Sequence, residues 1–136
     1  KAHTFGRCRL QPFSNRIGIF REVRGEGLPV ARLLPGERAL WDNRFRIELG
    51  AEEHEPITVR ALGDQGLRDL RDSSTLLASL PRLAGRTLPA CWRGDRLVGV
   101  PFLGSLSDQS RKAALDCRAT FVSGERMRGT ASPFSC

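Results

Sequence analysis

The spacing of apolar residues along this chain changes period twice, and those changes set the expected architecture. "HTFGRCRLQPF" and "RIGIFREV" alternate apolar with polar positions on either side of the turn dipeptide Ser14-Asn15, which predicts a β-hairpin. "RGEGLPVARLLPGE" concentrates glycine and proline and is expected to be loop. In "RALWDNRFRIEL", Ala39 and Trp41 are set against Phe45, Ile47 and Leu49 around Asp42-Asn43. Asx residues tolerate the positive φ that a two-residue hairpin turn demands, so this is the clearest hairpin signal in the chain. The acidic "AEEHE" interrupts the pattern, and "PITVRALG" reads as a further strand starting after Pro56.

The middle of the chain shifts to a helical period. Leu67, Leu70, Leu76, Leu77, Leu80 and Leu83 fall near i, i+3, i+4 spacings, which predicts short helices. Ser73 or Ser74 is the expected N-cap of one of them, and Pro81 its stop. Strand patterning returns in "LPACW", a Gly94-Asp95 turn and "RLVGV", ending at Pro101. "SLSDQSRKAAL" fits a brief helix or a loop, and "CRATFVS" is a last strand. The tail "GERMRGTASPFSC" has weak patterning, so residues 119–136 suggest no defined role beyond that strand. Strand-rich order with a small helical insert predicts the α+β class, and 136 residues suit a single domain, 1–136. Within it, 1–55 are expected to form a β-hairpin-rich leading part, and 56–136 is the part that carries the family resemblance given below.

Charge adds a direction to this picture. The net charge is +7, and 20 of the 22 basic residues are arginine. A basic balance favours a polyanionic partner such as nucleic acid, although a GC-rich genome also enriches arginine. The excess is uneven: +5 over residues 1–50, zero over 51–100 and +2 over 101–136. The neutral middle still holds a basic island, 82–96, with Arg82, Arg86, Arg93 and Arg96 against the single Asp95. No apolar run of about 18 residues predicts a membrane-spanning helix, and "KAHTFGRCRL" has no apolar core of a secretory leader. No membrane partner is therefore expected.

Recognisable catalytic patterns are missing. There is no phosphate-binding G-x-x-x-x-G-K-[ST], no G-x-G-x-x-G after a strand and no G-x-S-x-G elbow. His54 sits in an acidic loop with no nucleophile in a recognised arrangement, and His3 lies near a terminus. Asp69 and Asp72 share one helix face as solvated carboxylates, and neither Lys1 nor Lys112 belongs to a motif. Cys8, Cys91, Cys117 and Cys136 are scattered without paired spacing, so no metal site is expected and reduced thiols are favoured over disulfides. What remains is a binding surface. Arginine's planar fork suits phosphate oxygens and base faces, but the same residues also fit an ordinary solvated turn.

"RTLPACWRGDRLVGVPFLG" (86–104), preceded by "VRALGDQGLRDL" (59–70), resembles the C-terminal domain of the bacterial tRNA(Ile)-lysidine synthetase family. The shared pattern is a strand ending in Leu-Gly, a short helical stretch, R-x-x-L-P, a hydrophobic pair, a turn, and an apolar strand closing in Val-Pro. Arg86, Leu88, Pro89, Trp92, Arg93, Leu97, Val98, Val100 and Pro101 stand at the matching places, and the match covers chiefly 56–104. "GRCRL", "REVRG" and "ALWDNRFRIEL" are similar to the region leading into this domain in one branch of the family.

The resemblance implies a layered domain with a β-sandwich of unusual topology and a few short helices, like a tRNA-synthetase appendage. It implies a non-catalytic, cytoplasmic module that docks the acceptor stem of tRNA(Ile). Ligation of lysine to the wobble cytidine of the CAU anticodon would belong to an N-terminal PP-loop domain in cis. That domain carries an S-G-G-x-D-S signature absent from this sequence, and it uses ATP with Mg; this chain itself needs no cofactor. Arg86 and Arg93 carry over by motif as tRNA-binding residues. Arg82, Arg96, Arg68 and Arg71 join them on charge and proximity. The rival expectation is a structural or protein-interaction module, a homodimer being one form of it.

Overall fold

The computed structural model describes residues 3–5, 7–13, 15–23, 25, 27–70, 72, 75–103 and 115–122. Ten strands and three α-helices follow one another along these residues. β1 (His3–Phe5), β2 (Cys8–Phe13) and β3 (Arg16–Arg21) form an antiparallel meander, so β2 and β3 pair as the expected hairpin, while Ser14 lies outside the described residues. β5 (Arg38–Trp41), β6 (Phe45–Leu49) and β10 (Cys117–Phe121) make a second sheet in the order β10-β6-β5. β4 (Ala31–Leu33), β7 (Ile57–Ala61), β8 (Pro89–Arg93) and β9 (Arg96–Gly99) make a third, in that order. The fold is α+β: its helices α1 (Gly63–Leu70), α2 (Thr75–Ser79) and α3 (Arg82–Arg86) all fall between β7 and β8.

Two local expectations are corrected. The glycine- and proline-rich stretch taken as loop contains β4, which pairs with β7 and buries Leu33. Its three residues are too few for alternation to show between Pro29 and Pro35. The hairpin at Asp42-Asn43 is one residue longer than a two-residue turn. Trp41 opposes Phe45, leaving Asp42, Asn43 and Arg44 in the loop. Asp42 and Asn43 both take left-handed backbone angles (φ 51° and 55°), and the Arg44 amide donates to the Trp41 carbonyl at 3.1 Å. The Asx pair therefore does what its chemistry suggested, while the added residue delivers Arg44 into the interior.

Helical punctuation follows the sequence at Pro81, where α2 stops and α3 begins. The proposed serine N-caps, Ser73 and Ser74, lie outside the described residues. α3 is closed by Thr87, whose hydroxyl donates to the carbonyls of Leu83 and Ala84, each at 3.1 Å. The Gly94-Asp95 turn joins β8 to β9 with Gly94 at φ 59°, a region glycine enters without steric cost.

Packing of the layers is set by β8, which is buried on both faces. On one face Cys91 meets Cys117 of β10, so the four-stranded and three-stranded sheets lie face to face. On the other, Gly66 of α1 approaches the Trp92 ring so closely that a β-carbon there would lie 3.4 Å from it. Trp41, Phe45, Ile47, Leu49, Ile57, Val59, Leu88 and Trp92 form the centre of the core. Each such side chain contributes about 1.5–3 kcal/mol through burial. Cys8 is disulfide-bonded, which corrects the expectation of reduced thiols at that position, whereas Cys91 and Cys117 are free.

Candidate nucleic-acid interface

Among the described residues, Arg21, Arg44, Arg60 and Arg93 are held by the interior or by partly buried carboxylates, and this narrows which cations remain for a partner. Asp42, with only 4% of its side chain exposed, receives two of them. Arg21 grips it in a fork, with Nε 2.9 Å from Oδ2 and Nη2 2.9 Å from Oδ1. Arg44 donates from Nε to Oδ2 at 2.7 Å and from Nη2 to the Thr87 carbonyl at 2.7 Å. Burial pushes the pKa of Arg44 below its ordinary value, and the Asp42 carboxylate opposes that shift. The cluster ties the β5–β6 turn to β3 and to the end of α3. Arg60 lies over the Trp92 ring, 3.8 Å from its centroid, and so packs as a cation–π lid on the core.

Arg93 is held by two carboxylates. Its Nη2 is 3.6 Å from Glu53 and its Nε 3.3 Å from Glu55, in the connection from β6 to β7. The Nε contact is misaligned for a hydrogen bond, so that attraction is Coulombic. Glu53 also accepts the Asp116 amide at 2.7 Å, which ties this connection to the start of β10.

The other residues expected to touch tRNA divide between two places. Arg68 on α1 and Arg82 and Arg86 on α3 belong to the helical layer, where α1 packs on α3. Arg82 pairs with Asp64 at 3.0 Å, but both side chains are largely exposed, so water screens the pair heavily. Arg68 and Arg86 make no ion pair among the described residues. Arg96 stands directly across the hairpin from Arg93 and is exposed. Arg71 lies outside the described residues.

A further basic surface escaped the sequence reading. On the three-stranded sheet the alternate residues Phe45, Ile47 and Leu49 turn inward, so Arg46 and Glu48 turn outward. Register places Arg38 and Arg118 on either side of Glu48, and Leu40 and Thr120 on either side of Arg46. Arg38, Arg46 and Arg118 are all exposed and form no ion pair among the described residues. Three cations thus share this face with one carboxylate. The alternation in "RFRIEL" and "CRATF" carried the orientation of each strand, but only pairing across 70 residues of chain brings the arginines together.

Among the described residues no group of three or more histidine, cysteine or acidic side chains is placed to hold a metal. No described helix is long and apolar enough to cross a membrane. No protein-family model, curated protein or solved structure matches this chain.

Proposed function

We propose that this chain is a non-catalytic RNA-docking domain. In this reading it is the C-terminal part of a tRNA(Ile)-lysidine synthetase that binds the acceptor stem in the cytoplasm. ATP, Mg and the ligation of lysine belong to an N-terminal domain in cis. The observation that carries the reading is the set of exposed arginines, Arg38, Arg46 and Arg118, that share one sheet face with a single carboxylate, Glu48. Support also comes from the motif that carries the resemblance, which forms β8 and β9 with Leu88 and Trp92 buried.

An A-form stem is recognised through its phosphates, its 2′-hydroxyls and its shape rather than through a pocket. An arginine-bearing sheet face with further cations on the helices and on β9 suits that task. Arg68 and Arg82 on the helices and Arg96 on β9 supply exposed cations, Arg86 a half-buried one, and Arg71 is assigned with them. Arg93 takes part by releasing Glu53 and Glu55 to engage phosphate.

Binding of a fluorescent tRNA(Ile) acceptor minihelix, measured by anisotropy across a salt series, tests the proposal. Affinity should fall steeply with salt as neutralised phosphates release counterions. Replacing Arg38, Arg46 and Arg118 together with Gln should weaken binding about tenfold or more and flatten the salt slope by roughly 3. Absence of salt-dependent binding by the unaltered chain sinks the reading.

One observation favours a second reading, a protein-interaction module. Among the described strands β3 lies at the edge of its sheet, and it exposes Ile17 (75%) and Ile19 (45%). An exposed apolar edge strand is a template for pairing with another chain. A concentration-dependent dimer that dissociates on Ile17→Lys, in a chain that ignores the minihelix, would favour this reading.

A further inference from the structure

Cys91 and Cys117 are distant in sequence, 26 positions apart, yet their sulfurs lie 3.4 Å from each other between the two packed sheets. Both are free thiols. A disulfide requires about 2.05 Å between sulfurs, so roughly 1.4 Å of approach separates this pair from a covalent bond. The local structure allows that movement. Residue 99, opposite Cys91 on β9, is a glycine, and the β8–β9 register shifts between Cys91 and Trp92. Cys117 opens β10, which among the described residues pairs only with β6.

We infer that Cys91 and Cys117 form an oxidation site, closed by a low-molecular-weight disulfide into a covalent bridge between the sheets. Accessibility sets the order of events. Cys91 is fully buried and Cys117 only half-buried, so Cys117 meets the reagent first. The Cys117 thiolate attacks one sulfur of oxidised glutathione, forming a mixed disulfide and expelling one glutathione thiolate. Cys91 then attacks the Cys117 sulfur, and its proton passes to the second glutathione thiolate as that thiolate is expelled. Two protein thiols are oxidised, one glutathione disulfide is reduced to two thiols, and the two protons lost by the protein are taken up by glutathione. Before oxidation the dithiol form is held by the fold. The hydrogen bond to Cys117 and burial both push the Cys91 pKa up, against a smaller downward pull from Arg93.

This inference is independent of the RNA reading. The intact chain is equilibrated with glutathione buffers of rising oxidised fraction, quenched in acid, alkylated, and its peptides mapped by mass. The expected product joins the Cys91 and Cys117 peptides with the loss of two hydrogens, reverts with dithiothreitol, and melts several degrees higher than the dithiol form. Cys117→Ser, shown by its melt in reductant to be folded, should leave Cys91 as a thiol under every buffer. Alkylation of both cysteines at the most oxidising poise would overturn the inference, as would a glutathione adduct stalled on Cys117 beside a free Cys91. Peptide mapping keeps Cys8, already disulfide-bonded, out of the count.

Discussion

Substitution of Asp42 by Asn isolates the charge at the centre of the Arg21–Asp42–Arg44 cluster. Asn occupies left-handed backbone readily, so the φ of 51° at this position is retained and the turn itself is spared. What changes is the partner of a buried cation. Arg21 has 11% of its side chain exposed and can rotate toward solvent, but Arg44, at 7%, is walled in by Trp41 and Phe45. It keeps only the Thr87 carbonyl and at best one amide oxygen. Removing one partner from a buried ion pair costs about 3–5 kcal/mol. With an unfolding entropy that scales with a chain of 136 residues, roughly 0.3 kcal/mol per degree, Tm should fall by about 10–17 °C. Urea unfolding in a double-mutant cycle with Arg44→Met checks the cause, because the second change removes the stranded cation and should recover at least half of the loss. A loss for Asp42→Asn below about 1 kcal/mol, or simple additivity in the cycle, would refute the reasoning.

Three smaller perturbations probe other joints of the fold. Gly66→Ala places a β-carbon 2.4 Å from a Leu62 methyl group, and Leu62 is itself only 1% exposed, so overpacking should cost about 1–3 kcal/mol in chemical denaturation. Thr87→Val keeps the shape but removes the hydroxyl that caps α3; a destabilisation of about 1 kcal/mol is expected, and an unchanged urea midpoint would show the cap to be idle. Stability should also decline at alkaline pH in the presence of a reductant. Above about pH 9 an unfolded Cys91 loses its proton while the folded thiol, with its raised pKa, retains it. The unfolded state then binds fewer protons, so stability falls by up to about 1.4 kcal/mol per pH unit. Urea midpoints for Cys91→Ala should fall less steeply between pH 9 and 10.5; parallel slopes would remove Cys91 from the account.

Local chemistry was legible wherever a residue's preference depends on its neighbours in sequence. Asp42-Asn43 announced a left-handed turn, Pro81 a helix boundary, and the alternation around Trp41 and Phe45 a half-buried strand pair, because φ preferences and side-chain alternation act over a few residues. The short strand β4 was hidden because its stability comes from pairing with β7, not from its own pattern. The arginines were legible as a population and not as a surface. Arg21, Arg44, Arg60 and Arg93 look like Arg38, Arg46 and Arg118 in the sequence. Burial commits Arg21, Arg44 and Arg60 to Asp42 and Trp92, and carboxylates from a distant connection hold Arg93. The role of each charge therefore rests on long-range register, which brings Arg118 beside Glu48 and Cys117 beside Cys91. By itself the sequence determined the α+β order of elements and the basic balance. Only the tertiary structure decided which cations face water and which thiols meet, because both depend on the packing of segments that are far apart in the chain.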